Sequence, residues 1–157
     1  MAKTCSLSVG GGKSNLVIED GVAFGDFCKV SAADGSSLKI KEKTSFYSHA
    51  TLSGDIEIGT NCLFGPNVTV LSGTHNINGR KLIRDLDREY IEKNGNVYSE
   101  KIQIGDDCWL GVNSVILPGV TLGKGCVVGA NSVVTKSFED YAVIGGIPAK
   151  LLKYRPE

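Results

Sequence analysis

The sequence is short of net charge, of long apolar runs and of histidine. Seventeen lysine and arginine residues are balanced by seventeen acidic ones, so the chain lacks the positive field that attracts nucleic acid or an anionic membrane surface. No segment approaches the ~18 apolar residues of a membrane span, and the N-terminal stretch has no apolar core of signal-peptide length. The length suits one ordinary domain. These features predict a single cytoplasmic domain, residues 1–157, without nucleic-acid or membrane partners.

Metal-binding and disulfide patterns are also missing. Cysteine occurs an odd number of times, five, and no two cysteines form a CxxC pair, so a disulfide framework is not indicated. The only histidines, His49 and His75, are too few for the three-histidine zinc site of a carbonic anhydrase. No metal centre is therefore predicted.

What the sequence does contain is a six-residue repeat of aliphatic and aromatic residues. A short run comprises Ile18, Phe24 and Val30. The first long run comprises Ile40, Phe46, Leu52, Ile58, Phe64 and Val70. The second comprises Ile104, Leu110, Ile116, Leu122, Val128 and Val134. Glycine often follows the apolar residue, and the fourth residue after it is small or thin, as at Cys28, Cys62, Cys108 and Cys126.

A six-residue unit suits one short strand and a corner, and three such units close a triangular coil of a parallel β-helix. The repeats predict an all-β fold of about five coils, with the apolar residues and the four repeat cysteines packed inside. We expect the glycines to lie at corners where φ turns positive.

The repeat is interrupted by one long segment. Coils are predicted over about 16–75 and 104–139, an inserted loop over about 76–101 and a short C-terminal segment over 140–157. A loop of this length in a compact domain usually has a function, although a solvated insertion is the alternative. We expect a short helix near Leu82 to Glu92. His75 stands where the repeat stops, which makes it a candidate general base on a rigid scaffold.

The repeats are specific enough to indicate a family. The segment "IGDDCWLGVNSVILPGVTLGKGCVVGANSVVT" resembles the hexapeptide-repeat acyltransferases, which implies a left-handed β-helix and a homotrimer. "PNVTVLSGTHNI", "KNGNVYSEKIQIGDDCWLG" and "VVTKSFEDYAVIGGIPAKLLK" are similar to the galactoside and maltose O-acetyltransferases. That resemblance covers nearly all of the chain from Phe46 to Lys153.

The resemblance also implies a set of functional residues. His75 would take a proton from the acceptor hydroxyl, and acetyl-CoA would lie along the later coils between two subunits. Residues implied for the binding of acetyl-CoA are Trp109, Val112, Ala130, Thr135, Lys136, Lys150 and Lys153. On the acceptor side the chain departs from the family, because His49 stands at the position of a substrate-contacting asparagine and Val97 at that of a methionine. The N-terminal helical segment of those enzymes is missing as well.

The function predicted from these observations is acetyl-CoA-dependent O-acetylation of a hydroxyl on a sugar or a sugar-containing intermediate, without a metal. Direct transfer would use a histidine base and sites between the subunits of a trimer. Three alternatives stay open: acetylation of a xenobiotic such as an antibiotic, N-acetylation of a sugar, and a binding module without catalytic activity.

Overall fold

The computed structural model describes residues 4–157, and its strands form the three faces of a parallel β-helix. Residues 1–3 of the predicted domain lie outside the described residues. The first face contains β1 (Ser6–Val9), β4 (Lys29–Ala32), β7 (Thr51–Ser53), β10 (Thr69–Leu71), β13 (Val115–Ile116) and β16 (Val133–Val134). The second contains β2 (Asn15–Ile18), β5 (Ser37–Ile40), β8 (Ile56–Ile58), β11 (Ile102–Ile104) and β14 (Thr121–Leu122). The third contains β3 (Ala23–Phe24), β6 (Ser45–Phe46), β9 (Leu63–Phe64), β12 (Trp109–Leu110), β15 (Val127–Val128), β17 (Ala142–Gly146) and β18 (Ala149–Tyr154).

Each coil takes one strand from each face in turn. Complete coils run from β2 to β16, and β1 and β17 add one strand at each end, which makes about six turns. The sequence predicts about five, because neither end strand belongs to a six-residue run. At the C-terminal end, β17 pairs in parallel with β15, and β18 folds back antiparallel on β17.

The six-residue runs form the core. Phe46 stacks on Phe64 with ring centroids 4.4 Å apart, and Leu110 pairs with Phe64 although the inserted loop separates them in sequence. All residues of the two long runs are 3% exposed or less. Burying an aliphatic or aromatic side chain of this size contributes about 1.5–3 kcal/mol. The register of the coils is therefore set by these stacks and continues unchanged across the loop.

The repeat cysteines point inward, as predicted, and are buried as free thiols. Three of them form a column with Thr44 in which each side chain donates a hydrogen bond to a backbone carbonyl of the next coil. Thr44 donates to Gly59 over 2.8 Å, Cys62 to Gly105 over 3.1 Å, Cys108 to Gly123 over 3.2 Å and Cys126 to Glu139 over 3.1 Å. This packing explains the cysteines without a metal or a disulfide.

The prediction for the glycines holds for Gly21, Gly119 and Gly125, whose φ values are 71°, 78° and 67°, and is wrong for the glycines that directly follow a core residue. Positive φ occurs two residues later than the repeat glycines, at the third residue after the core residue, which is often asparagine. Examples are Asn61 (57°), Asn67 (57°), Asn113 (58°) and Asn131 (56°). Asparagine tolerates this left-handed conformation better than most residues. Glycine follows the core residue because the next coil passes too close: a Cβ at Gly111 would lie 2.7 Å from the backbone nitrogen of Ala130.

The inserted loop contains the predicted helix, α1, which spans Ile83–Asn94. It ends at Gly95, which has φ 74° and donates its N–H to the carbonyl of Ile91. Leu86 is the helix residue that is buried, at 6% exposure. The chain then returns along the outgoing segment, where the N–H of Thr74 donates to the carbonyl of Tyr98 over 3.0 Å. This return pairing holds the end of the loop beside β10, and Leu86 packs within the loop near Gly79.

Candidate active site

His75 lies at the mouth of the inserted loop, with its backbone fixed on both sides. The N–H of Thr74 is bonded to the returning chain, and the N–H of Asn76 donates to Oδ1 of Asp87 over 2.7 Å. The side chain itself is 77% exposed. A fixed backbone with an open ring is an arrangement that suits a group acting on a bound substrate.

Asp87 of α1 orients the His75 ring. Its Oδ2 lies 2.7 Å from Nδ1 of His75, while Oδ1 accepts the Asn76 N–H. These contacts, the backbone N–H first and the His75 ring second, lower the pKa of Asp87. When Nδ1 donates to the carboxylate, the neutral ring leaves Nε2 as the nitrogen that can accept a proton.

Sequence reasoning missed Asp87. Twelve residues separate it from His75 across an irregular turn, so no helical or strand spacing links the two. The only signal in the sequence is the expectation of a helix in the loop, which does not say which of its acidic residues faces the histidine.

A cleft of about 550 Å³ opens beside His75, and the rest of its lining comes from one face of α1. The lining residues from the helix are Ile83, Arg84, Asp87, Arg88, Ile91 and Glu92. The cleft thus combines a candidate base, apolar surface and charged groups, as small-molecule sites commonly do.

The predicted acceptor-side residues lie away from this cleft in the single chain. His49 is exposed at a corner after the third face, with φ 64°, and its ring stacks on Phe27 with centroids 5.1 Å apart. Its outward direction is as predicted. Val97 follows the end of α1 and is 37% exposed. Neither residue lines the cleft of His75.

The residues predicted to bind acetyl-CoA lie on the later coils. Trp109 is 55% exposed on the third face beside Leu63 and Val127, where a smaller cleft of about 280 Å³ is found. Val112 and Ala130 are exposed at one corner of neighbouring coils.

The remaining predicted donor residues are also at the surface. Thr135 and Lys136 follow β16, and Lys150 and Lys153 are exposed on β18. None of the predicted donor residues lines the cleft of His75. One chain therefore presents the candidate base and the predicted donor surface at separate places.

Among residues 4–157, no group of three or more His, Cys, Asp or Glu side chains is arranged to hold a metal ion. No helix in the same range is long and apolar enough to cross a membrane.

Comparison with known proteins gives matches in both sequence and structure. The family model described as "Hexapeptide repeat of succinyl-transferase" matches residues 55–75 and 101–136. The galactoside O-acetyltransferase of Escherichia coli is 35% identical over 76% of this chain and 55% of its own length. That of Lactococcus lactis is 38% identical over 60% of this chain and 41% of its own length. The chain spans about half the length of these relatives.

Solved structures share the fold. A hexapeptide-repeat acetyltransferase from Vibrio cholerae in complex with acetyl-CoA has a TM-score of 0.63 and 22% identity, over 100% of this chain and 71% of that one. A mutant N-acyltransferase from Bacillus cereus with coenzyme A and dTDP-4-amino-4,6-dideoxyglucose has a TM-score of 0.71 and 21% identity, over 96% of this chain and 84% of that one. At these identities the likeness concerns the fold.

These findings confirm two predictions from the sequence. The chain contains hexapeptide repeats and has the left-handed parallel β-helix fold. Within that class it resembles the galactoside and maltose O-acetyltransferase group of acyltransferases.

Proposed function

We propose that the protein is an acetyl-CoA-dependent O-acetyltransferase that acts on a hydroxyl of a sugar or sugar-containing intermediate, with His75 as general base. The observation that carries this proposal is the pairing of His75 with Asp87 at the edge of a cleft. The similarity to galactoside O-acetyltransferases supports the choice of donor and acceptor. The reaction needs acetyl-CoA, so the proposal keeps the cytoplasmic location predicted from the sequence.

The proposed reaction is a direct transfer. Nε2 of His75 takes the proton of the acceptor hydroxyl as the oxygen attacks the thioester carbon. Asp87 holds Nδ1 and stabilises the ring once it is protonated, because the positive charge forms beside its carboxylate. The tetrahedral oxyanion collapses, the carbon–sulfur bond breaks, and the sulfur of CoA takes the proton from the ring. No covalent intermediate with the protein is involved.

The proposal includes a homotrimer with sites between subunits. The cleft of His75, the corner with His49 and the donor residues on the later coils lie apart in one chain. A neighbouring subunit is the simplest way to bring such surfaces together, because cyclic assemblies place different patches of the same chain in contact. Trp109 would then border the thioester, and Lys150 and Lys153 would meet the phosphates of CoA.

A second candidate is N-acylation, which would use the same base on an amino sugar. This candidate is supported by the fold match to an N-acyltransferase that was solved with an amino-sugar nucleotide. The geometry around His75 serves either nucleophile, since both must lose a proton during acyl transfer.

The test is acceptor-dependent release of CoA thiol from acetyl-CoA, with the product identified by mass spectrometry. The acceptor panel contains neutral sugars, sugar phosphates, nucleotide sugars, amino sugars and antibiotics. An O-acetylated sugar as the preferred product supports the proposal. Preferred acetylation of an amine or of an antibiotic would show that the acceptor belongs to that class and is not a sugar hydroxyl. If the folded protein releases no CoA thiol in the presence of any acceptor, acetyl transfer is rejected.

A further inference from the structure

The helix face that lines the cleft of His75 carries two arginines, Arg84 and Arg88. They are four residues apart on α1, which places them one above the other on the same side of the helix. Asp87 lies on this face as well and holds the candidate base. The two guanidinium groups therefore belong to the same cleft as His75.

Neither arginine has a close ion-pair partner in the part of the chain that the structure describes. Among residues 4–157, the side chain of Arg84 has no hydrogen-bond or ion-pair partner. Arg88 has only a long contact, 3.6 Å from Nη1 to Oδ1 of Asp85, with both side chains exposed. An exposed pair of this kind contributes little. Elsewhere in the loop, by contrast, Lys81 is paired with Glu89 at 2.6 Å.

Among residues 4–157, neither acidic group of the cleft, Asp87 or Glu92, forms an ion pair with the two arginines. Asp87 is occupied by the His75 ring and by the Asn76 N–H. Glu92 follows Arg88 at the same four-residue spacing that separates the two arginines. Ile83 and Ile91, 51% and 43% exposed, provide apolar surface on either side of the arginines. The two guanidinium groups thus lie between two exposed apolar side chains.

We propose that the acceptor is anionic: a sugar that bears a carboxylate or a phosphate, held by Arg84 and Arg88 while its hydroxyl meets Nε2 of His75. Arginine suits this role because its planar group can donate two parallel hydrogen bonds to either anion. A neutral galactoside offers no charged group to either arginine. This inference rests on the proposed acetyl transfer and names the substrate class of its acceptor.

The kinetic test compares acceptors that are matched except for charge: galactose, galacturonate and galactose phosphate. We expect kcat/KM to be at least about 10-fold higher for one of the two anionic sugars, which also decides between carboxylate and phosphate. Arg84→Gln and Arg88→Gln should each raise the KM of that acceptor about 10-fold and leave the KM of acetyl-CoA unchanged. Arg80→Gln is the matched control, because it removes the same charge from the same loop outside the cleft.

Binding of the same sugars by calorimetry, without acetyl-CoA, separates this inference from the proposed function. Affinity for an anionic sugar that is lost in Arg84→Gln and Arg88→Gln but kept in Arg80→Gln supports the anion site even if no transfer is found. Equal binding and turnover of galactose and its anionic partners, unaffected by the arginine variants, overturns the inference and leaves acetyl transfer standing. A raised KM for acetyl-CoA alone overturns it too, since the arginines would then serve the donor.

Discussion

Asp87 holds the side chain of His75 and the backbone of the next residue at the same time. The substitution Asp87→Asn should therefore affect catalysis by changing the tautomer of the His75 ring. An amide that donates to Nδ1 favours the tautomer with its proton on Nε2, which cannot accept the proton of the acceptor. We expect kcat to fall at least ~10-fold with little change in the KM of acetyl-CoA. Steady-state kinetics on the variant measures this, and an unchanged kcat would remove Asp87 from the mechanism.

The same contact has a pH dependence of known sign. The pKa of Asp87 is lowered from its ordinary value of 3.8 by the Asn76 N–H and the His75 ring. A group of this kind stabilises the fold above its ordinary pKa and loses that contribution as the pH falls through the lower, folded-state pKa. The protection of the loop amides, measured as exchange relative to an unstructured peptide at the same pH, should therefore fall below about pH 4 in the native protein. In Asp87→Asn that acid-dependent step should be absent.

At the scale of elements, the buried residue of α1 is Leu86, which packs within the inserted loop near Gly79. Leu86→Ala should loosen the helix and lower acetyl transfer, while the melting temperature of the coils changes little, because the loop can open without unfolding them. Hydrogen exchange over Ile83–Asn94 measures the loosening. Leu82→Ala is the matched control, since the same atoms are removed from a side chain that is 73% exposed. Equal effects of the two variants would contradict this role of Leu86.

The column of buried thiols, Cys62, Cys108 and Cys126, leads to a prediction about the reactivity of Cys108. Contacts with the thiols of Cys126 and Cys62, together with burial, raise the pKa of the Cys108 thiol. Alkylation requires the thiolate and access to it, so Cys108 should react with iodoacetamide only when the coils unfold. Mass spectrometry after labelling with and without denaturant tests this. Rapid labelling of Cys108 in the native protein would show that the coils open locally.

The sequence predicts the elements unevenly, for physical reasons. The core was predictable because Phe46 and Phe64 on one side of the loop, and Leu110 and Val128 on the other, recur at the period that the coil imposes. The end strand Ser6–Val9 was not predictable, because none of its own residues belongs to a six-residue run, although it pairs with β4. The contact between His75 and Asp87 depends on how a loop folds back onto β10, and no periodicity encodes it.

At the scale of the whole molecule, the separation of His75 from the donor surface requires an assembly if the proposed site is right. We expect light scattering to give a mass three times that of the chain at micromolar concentration. Mixing inactive His75→Ala with a donor-site variant such as Trp109→Ala, after dissociation and reassembly, should restore part of the activity. Restoration needs one site built from two chains, so a monomer, or no recovery in mixed trimers, would contradict shared sites.

The central claim is that His75 removes the acceptor proton during acetyl transfer, and the most direct measurement is the kcat of His75→Ala on an acceptor whose acetylated product has been identified. Because the side chain is 77% exposed and belongs to no core stack, the variant should fold and melt like the native protein. Loss of a general base typically lowers the rate ~10²–10⁴-fold. We therefore predict a kcat reduced by that amount with the KM of acetyl-CoA nearly unchanged. A folded His75→Ala variant that transfers acetyl groups at close to the native rate would contradict the claim.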